Sequence, residues 1–308
     1  MQSRSVLIFL DGVGLGEPDP AVNPIVAARP EFLHDLLGID ELTARTAGTS
    51  SSRASLVAVD ATLDTPGLPQ SGTGQYSLLT GINGAARFGR HYGPYVPTAL
   101  REPLMRGSIL AKARDFGLSI AFANAYPEEL IGDGSADVAL IGPLRAGPPL
   151  AALGARVLRR RTHELQSGNA LASEIVNEGW IDRLGRLELP RITPEEAGGN
   201  LARISREHDL TLFAHYTTDA VGHQRDLEGG IAAVRLVDAF LRGFFEAIGS
   251  GTTVIIASDH GNLEDSRTGH TVNPAMFVTA GPGHERLAAD IRQLTDVTPA
   301  LLRQLTAG

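Results

Sequence analysis

Six short runs of apolar, often β-branched residues stand out along the chain, most of them ending in glycine or polar residues. Runs of this length, bounded by turn residues, are typical of buried strands. The pattern predicts strands at residues 5–10, 54–61, 118–124, 210–216, 252–257 and 275–279.

Segments with helical signals separate several of these runs. Thr193 and Pro194, followed by two glutamates, form a strong helix start, and residues 231–248 have an amphipathic pattern. Further helices are predicted after Ser71 and at 97–116 and 297–305. Strands alternating with helices predict an α/β fold in which helices flank a mostly parallel sheet.

The pattern loosens between residues 126 and 192. Turn-rich segments around 132–135 and 142–149 precede a stretch at 150–181 that we expect to be mainly helical. We interpret residues 126–192 as a small inserted lid. Residues 1–125 and 193–308 would then form the core.

The segment that follows the predicted strand 252–257 is rich in metal-binding side chains. Asp259 and His260 come first, and His270 follows ten residues later. In open α/β sheets, ligands and catalytic groups collect at the carboxyl ends of strands. Carboxylate oxygen together with imidazole nitrogen suits Zn²⁺ or Mn²⁺, although a simple polar turn around Gly261 would look similar.

Two other predicted strands end in comparable residues. Asp11 follows the first strand, and the strand 210–216 leads into Asp219 and His223, whose spacing of four places both on one face of a helical turn. Gly12, Gly14 and Gly16 superficially suggest a dinucleotide-binding loop. Prolines follow where the helix of that motif should begin, so we reject this alternative.

Ser71 lies where a loop turns into a predicted helix that ends at Gly81. A serine at this position can simply cap the helix. It can also act as a nucleophile toward phosphorus, because free N–H groups and the positive end of the helix dipole bind phosphoryl oxygens. Arg87, Arg90 and His91 follow closely and are candidates for holding a substrate phosphate.

The composition limits the partners and the metal ligands that the chain can have. The 308 residues are 43% hydrophobic and 20% charged, as expected of an ordinary globular protein. A formal charge of −8 argues against nonspecific binding to nucleic acid or to an anionic membrane. Cysteine is absent, so metal ligands must come from His, Asp, Glu or hydroxyl groups. Without a signal-peptide core or a membrane-length apolar run, we expect a cytoplasmic protein.

Six candidate ligands on one sheet edge exceed the needs of one tetrahedral ion. They fit two ions a few ångströms apart, an arrangement that clamps the attacking and leaving oxygens of a displacement at phosphorus. The six are Asp11, Asp219, His223, Asp259, His260 and His270.

These motifs resemble the alkaline phosphatase superfamily, closest to its cofactor-independent phosphoglycerate mutase and phosphopentomutase branch. The segment from Ser71 to Gly81 is also similar to the nucleophile region of nucleotide pyrophosphatase/phosphodiesterases, and both comparisons select Ser71 over Thr73. The matching motifs are Leu10-Asp11-Gly12, Asp219-x-x-Gly222-His223, Asp259-His260-Gly261-Asn262 and His270-Thr271-x-Asn273-Pro274.

The resemblance implies an alkaline-phosphatase-like core and assigns the ligands to two divalent ions. Asp11, Ser71, Asp259 and His260 would hold one ion. Asp219, His223 and His270 would hold the other. It leaves the metal open, with Mn²⁺ and Zn²⁺ as the first candidates. Thr73, Arg87, Arg90 and His91 remain candidate contacts to a small phosphorylated substrate.

The mutases of this branch carry larger inserted domains with arginine-rich motifs, and residues 126–192 lack such a motif. Since a small lid admits water more readily, our first hypothesis is hydrolysis of a phosphomonoester through a phosphoserine at Ser71. Phosphomutase activity is the close alternative, followed by phosphodiesterase. A sulfatase is disfavoured because Ser71-Gly72-Thr73 does not match the sulfatase motif. The alternative from another class is an inactive metal-binding protein.

Overall fold

The computed structural model describes residues 4–132 and 140–306. Within this part of the chain, six strands form one sheet in the order β2-β6-β5-β1-β4-β3. The strands are β1 (Arg4–Leu10), β2 (Ala54–Val59), β3 (Ile120–Phe122), β4 (Leu210–His215), β5 (Thr252–Ala257) and β6 (Ala275–Ala280).

Strands β5, β1, β4 and β3 pair in parallel, whereas β6 is antiparallel to both β5 and β2. The predicted α/β fold with a mostly parallel sheet is therefore confirmed. All six predicted strands are present, although β3 covers only Ile120–Phe122 of the predicted 118–124.

Helices cover both faces of the sheet. Among the described residues, none of them has the length and apolar character needed to cross a membrane. A short 3₁₀ helix spans Gly142–Arg145. The α-helices are α1 (Pro24–Ala28), α2 (Glu31–Leu37), α3 (Ser71–Thr80), α4 (Gly84–Phe88), α5 (Thr98–Gly107), α6 (Ile109–Asp115), α7 (Glu128–Ile131), α8 (Gly147–Gly154), α9 (Thr162–Gln166), α10 (Glu178–Asp182), α11 (Pro194–Ser205), α12 (Thr217–Gln224), α13 (Leu227–Ala247), α14 (His284–Asp290) and α15 (Leu294–Thr306).

Alternation along β1 explains why the core has two layers. Leu7 and Phe9 point into one apolar cluster, which includes residues of α3, α5 and α15. Val6 and Ile8 point into the other, which includes residues of α11 and α13. Because successive side chains of a strand face opposite sides, a strand covered on both sides is apolar throughout.

Two helix predictions need correction. The helix predicted at 97–116 is two helices, because Ser108 has an extended backbone and its hydroxyl caps α6 by accepting from the Ala111 N–H. The stretch 150–181 is mostly turns with short helices rather than mainly helical. Positive φ angles at Arg156, Gly168 and Ile175 interrupt it, and a right-handed helix cannot continue through such residues.

The predicted helix start at Thr193 is confirmed. Its side chain accepts from the Glu196 N–H and the Glu196 side chain accepts from the Thr193 N–H, which is a capping box. The predicted turn at 132–135 lies mostly outside the described residues. The described part of 126–192 packs partly into the first core cluster, through residues such as Leu144 and Leu150, and partly into a small separate cluster that includes Leu165 and Trp180. Its role as a lid stays a prediction.

Candidate metal centre

Three adjacent parallel strands bring their carboxyl ends to one sheet edge. Asp11 follows β1 directly, and its N–H donates to the carbonyl of His215 at the end of β4. Helix α12 begins two residues after β4, and Asp259 lies two residues beyond β5. The side chains that follow β5, β1 and β4 therefore meet, although they are far apart in sequence.

The first group consists of Asp11, Asp259 and His260, which are 5%, 0% and 0% exposed. One ligand atom from each residue lies within 4.8 Å of the others. His260 Nε2 is 3.5 Å from Asp11 Oδ1 and 3.7 Å from Asp259 Oδ2. The Ser71 hydroxyl is 3.0 Å from the same nitrogen.

The second group consists of Asp219, His223 and His270, again with ligand atoms within 4.8 Å of one another. Asp219 and His223 lie one turn apart on α12, as their spacing predicts. His223 Nε2 is 3.4 Å from Asp219 Oδ2 and 3.1 Å from His270 Nε2. The two groups adjoin, since His260 Nε2 is 3.9 Å from Asp219 Oδ1.

The tautomer of His270 follows from its neighbour. Its Nδ1 lies 2.7 Å from the carbonyl oxygen of Pro69, which can only accept, so Nδ1 carries the proton. Nε2 is left with its lone pair directed toward Asp219 and His223. Burial, together with the charge of His260, lowers the pKa of His270 to about 4. His270 is thus a neutral imidazole, the form that binds metals.

The buried carboxylates carry charge that the protein itself balances poorly. Burial and the neighbouring Asp259 raise the pKa of Asp11, and burial also raises the pKa of Asp259. Burial would lower the pKa of His260, but the carboxylates of Asp259, Asp11 and Asp219 outweigh it and raise that pKa to about 10. Within the described residues, the ion-pair partners of these carboxylates are histidines.

Unpartnered atoms show that this donor set fits divalent cations. Asp11 Oδ1 and Asp259 Oδ2 are buried and accept no hydrogen bond within the described residues. Buried polar atoms without partners are rare and costly in proteins. His223 and His270 also direct ring nitrogens at each other. Oxygen and imidazole donors that converge in this way match the preferences of Zn²⁺ and Mn²⁺.

Ser71 is the first residue of α3 and is 3% exposed. Ser71 does not cap the helix, because Gln70 is the N-cap residue and the Ser71 hydroxyl faces His260. Two glycines in the first turn of α3 allow close packing. A Cβ at Gly72 would lie 2.1 Å from the Tyr95 carbonyl oxygen, and one at Gly74 would lie 2.9 Å from the Asp259 carbonyl oxygen.

The four candidate substrate contacts, Thr73, Arg87, Arg90 and His91, differ in burial and in the groups that they contact. The Thr73 hydroxyl is buried and accepts from the Tyr92 N–H. His91 Nε2 contacts the carbonyls of Thr62 and Thr65. These contacts favour structural roles for Thr73 and His91. Arg87 and Arg90 are exposed, and the Arg90 guanidinium lies 5.9 Å from the centre of the Phe88 ring.

Glu264 is a supporting residue that the sequence prediction missed. It is 1% exposed, and its Oε2 accepts from the N–H groups of Gly14 at 3.0 Å and Asn262 at 2.8 Å. Its Oε1 accepts from the Asn273 amide at 3.0 Å and from the Thr271 hydroxyl. Glu264 therefore ties the loop after β1 to both halves of the loop that carries His260 and His270.

We expect Glu264→Gln to lower the free energy of unfolding of the metal-stripped protein by about 3 kcal/mol, because an amide nitrogen cannot accept two of these hydrogen bonds. Urea denaturation measures this difference. Glu285→Gln, at an exposed glutamate of α14, is the control and should change it by less than about 0.5 kcal/mol. Equal effects of the two substitutions would contradict the structural role of Glu264.

Asn262 supports the second group. Its amide nitrogen donates to Asp219 Oδ1 at 2.6 Å, and its side chain is fully buried against Gly222. Asn262 thus links the segment that carries His260 to the carboxylate of the other group. The sequence analysis named Asn262 only as the last residue of the Asp259-His260-Gly261-Asn262 motif and assigned it no role.

Comparison with known proteins agrees with this geometry. A family model described as the Metalloenzyme superfamily matches residues 197–307, which include five of the six candidate ligands. The matched region is the carboxyl-terminal third of the chain, and there the chain is similar to that superfamily. The predicted resemblance is therefore confirmed, and divalent metal ions are the cofactors to which the superfamily and the two ligand groups point.

Curated relatives match only part of the chain. The 2,3-bisphosphoglycerate-independent phosphoglycerate mutase of Thiobacillus denitrificans is 37% identical over 110 residues, covering 33% of this chain and 21% of the relative. The enzyme of the same name from Cereibacter sphaeroides is 34% identical over 125 residues, covering 37% and 24%. The matched region thus spans less than a quarter of these relatives.

Solved structures share the whole fold. The PH0037 protein from Pyrococcus horikoshii has a TM-score of 0.58 at 12% identity, covering 100% of this chain and 98% of its own. The alkaline phosphatase from the Antarctic bacterium TAB5 has a TM-score of 0.53 at 12% identity, covering 100% and 99%. At such identities the comparison establishes an alkaline-phosphatase-like fold for the chain.

Proposed function

We propose that the chain is a two-metal phosphoryl-transfer enzyme that hydrolyses a phosphomonoester through a phosphoserine at Ser71. The observation that carries this proposal is the position of the Ser71 hydroxyl. It lies 3.0 Å from His260 Nε2, beside two groups of converging metal-type ligands. A purely structural metal site has no need of a buried hydroxyl at this point.

The ligand sets divide as the geometry groups them. Asp11, Asp259 and His260, with Ser71, would hold one ion, and the three remaining candidates would hold the other. When bound, the two ions would favour the alkoxide form of Ser71 and offset the charge that develops on the phosphoryl group. The second ligand group consists of Asp219, His223 and His270.

The residues of the chain prepare the first step. Burial holds the Ser71 hydroxyl in one place, and the amino-terminal end of α3 presents a positive dipole end to an incoming phosphate. The serine oxygen forms a bond to phosphorus while the bond to the leaving alcohol breaks, and the alcohol takes up a proton. Water then attacks the phosphoserine, which releases inorganic phosphate and restores the serine.

Solvent access favours hydrolysis. The His223 side chain is 53% exposed, so the second ligand group is open to water on one side. A mutase must instead keep water away while it returns the phosphoryl group to a second hydroxyl of the substrate. The phosphoglycerate mutase names of the curated relatives support phosphomutase activity as the second candidate.

A substrate panel decides between the two. Purified protein loaded with Mn²⁺ or Zn²⁺ is incubated with sugar phosphates, phosphoglycerates, nucleotides and phosphodiesters. Inorganic phosphate and isomerised product are measured in parallel. Release of phosphate from monoesters supports hydrolysis, whereas isomerised phosphoester without free phosphate identifies a mutase. Absence of turnover throughout the panel would leave the inactive metal-binding protein as the better description.

A further inference from the structure

A single buried glutamine connects the first ligand group to the inserted segment. Gln75 lies on α3, one turn after Ser71, and is 1% exposed. Its Oε1 accepts from the Gly147 N–H at 2.8 Å. Because that N–H can only donate, the orientation of the amide is fixed, and the other end of the group must be the nitrogen. This nitrogen donates to Asp11 Oδ2 at 3.2 Å.

The hydrogen bond from Gln75 separates the roles of the two Asp11 oxygens. Oδ2 accepts from Gln75, whereas Oδ1 has no hydrogen-bond partner within residues 4–132 and 140–306. Oδ1 is the oxygen that lies 3.5 Å from His260 Nε2. The amide therefore turns the carboxylate so that its free oxygen faces His260 at the centre of the site.

Gly147 holds the far side of Gln75 in place. It is the first residue of α8, it is buried, and it belongs to the segment 126–192. A Cβ at this position would lie 2.7 Å from Gln75 Cβ and 3.1 Å from Leu79 Cδ1, so α8 approaches α3 closely only because residue 147 is glycine. Gln75 thus links this part of the segment 126–192 to the first ligand group.

We propose that Gln75 is a positioning residue for Asp11 and that α8 holds Gln75 in its working orientation. This inference rests on the proposed role of Asp11 as a metal ligand. Ligands of bound metals are commonly oriented by hydrogen bonds from a second layer of residues, and loss of such a bond typically weakens metal affinity about 10- to 100-fold. Gln75 fills that position for Asp11.

The test is a calorimetric titration of the metal-stripped full-length chain with Mn²⁺. Gln75→Met keeps the length of the side chain but removes both polar ends. We expect it to weaken binding of one ion by about 10- to 100-fold and to leave the other ion within about threefold of wild type. A role in packing alone would not affect one ion selectively.

Gln304→Met is the matched control. Gln304 is also buried, at 8% exposure, but it lies on α15 and its amide contacts Thr253 and the Pro282 carbonyl. This variant should bind both ions as the wild type does. Thermal unfolding of all variants records whether each is folded.

Gly147→Ala perturbs the same contact from the other side and keeps the test valid if Gln75→Met does not fold. The added methyl group must displace Gln75, so the same ion should bind more weakly. Wild-type affinity for both ions in folded Gln75→Met and Gly147→Ala would overturn the inference alone. A wild-type chain that binds no ion would instead overturn the proposed metal centre.

Discussion

Ser71→Ala should lower kcat/KM toward the preferred phosphorylated substrate by about 10⁴-fold or more while the protein keeps its bound metal. The substitution removes the oxygen that, in the proposed mechanism, forms the bond to phosphorus. The carboxylate and imidazole ligands of both groups remain. Steady-state kinetics and elemental analysis of the same preparation measure the two quantities together.

Ser77→Ala is the control for this experiment. Ser77 lies on the same helix and is fully buried, but its hydroxyl donates to the Thr73 carbonyl and accepts from the Gly84 N–H, away from the ligands. It should retain turnover within about an order of magnitude, as expected of a residue outside the reacting group. If Ser71→Ala keeps both its metal and wild-type turnover of every substrate, Ser71 is not the nucleophile.

The second large effect concerns stability in the absence of metal. We expect the free energy of unfolding of the metal-stripped protein to fall by a few kcal/mol as the pH rises from about 6.5 to about 10. The pKa of His260 is raised from its ordinary 6.5 to about 10 by the surrounding carboxylates, although burial opposes this. Below pH 6.5 the imidazole is protonated in both the folded and the unfolded chain, and the stabilisation is complete.

Between these two pH values the unfolded chain releases the proton that the folded chain retains. The stabilisation therefore decreases and is lost as the pH passes through the folded-state pKa. The raised pKa values of Asp11 and Asp259 act with the same sign, because each carboxyl group is harder to ionise in the folded chain.

Bound metal should reverse this trend. Ligands must lose their protons to bind a cation, so metal affinity, and with it the stability of the loaded protein, increases with pH. Urea denaturation at pH 6.5 and 8.5, with and without Zn²⁺, compares the two states. His260→Gln should flatten the pH dependence of the stripped protein, whereas His284→Gln should preserve it. A stripped protein whose stability rises above pH 6.5 would refute this account of the site.

The positions of the candidate ligands were predictable because they depend on local rules. Asp219 and His223 share a helix face because four residues make about one turn, and Asp11 and Asp259 follow apolar runs that are typical of buried strands. Parallel pairing of β5, β1 and β4 then brings their ends together. The spacing of the polar residues and the positions of the apolar runs, both visible in the sequence, therefore predict where the candidate ligands lie.

The supporting contacts were not predictable in the same way. Gln75 meets Gly147, and Glu264 meets Gly14, across long sequence separations that only the packed chain defines. A glutamine or glutamate near a motif looks like any solvent-exposed polar residue until its burial is known. The helix prediction for 150–181 failed for a different reason. Its helix-forming residues are interrupted by Arg156 and Ile175, which adopt left-handed conformations that non-glycine residues seldom adopt.

The antiparallel direction of β6 has a consequence for how this protein can be altered. Because β6 starts at the edge where β5 stops, the connection from 258 to 274 leaves and re-enters the sheet at the same side. Its two ends are anchored by β5 and β6, while Arg267 and Thr268 at its tip are exposed. Extra residues inserted at that tip would lengthen a surface excursion without shifting any strand. The tip is accordingly a natural place to graft a reporter or a new substrate-binding segment near the candidate metal ligands.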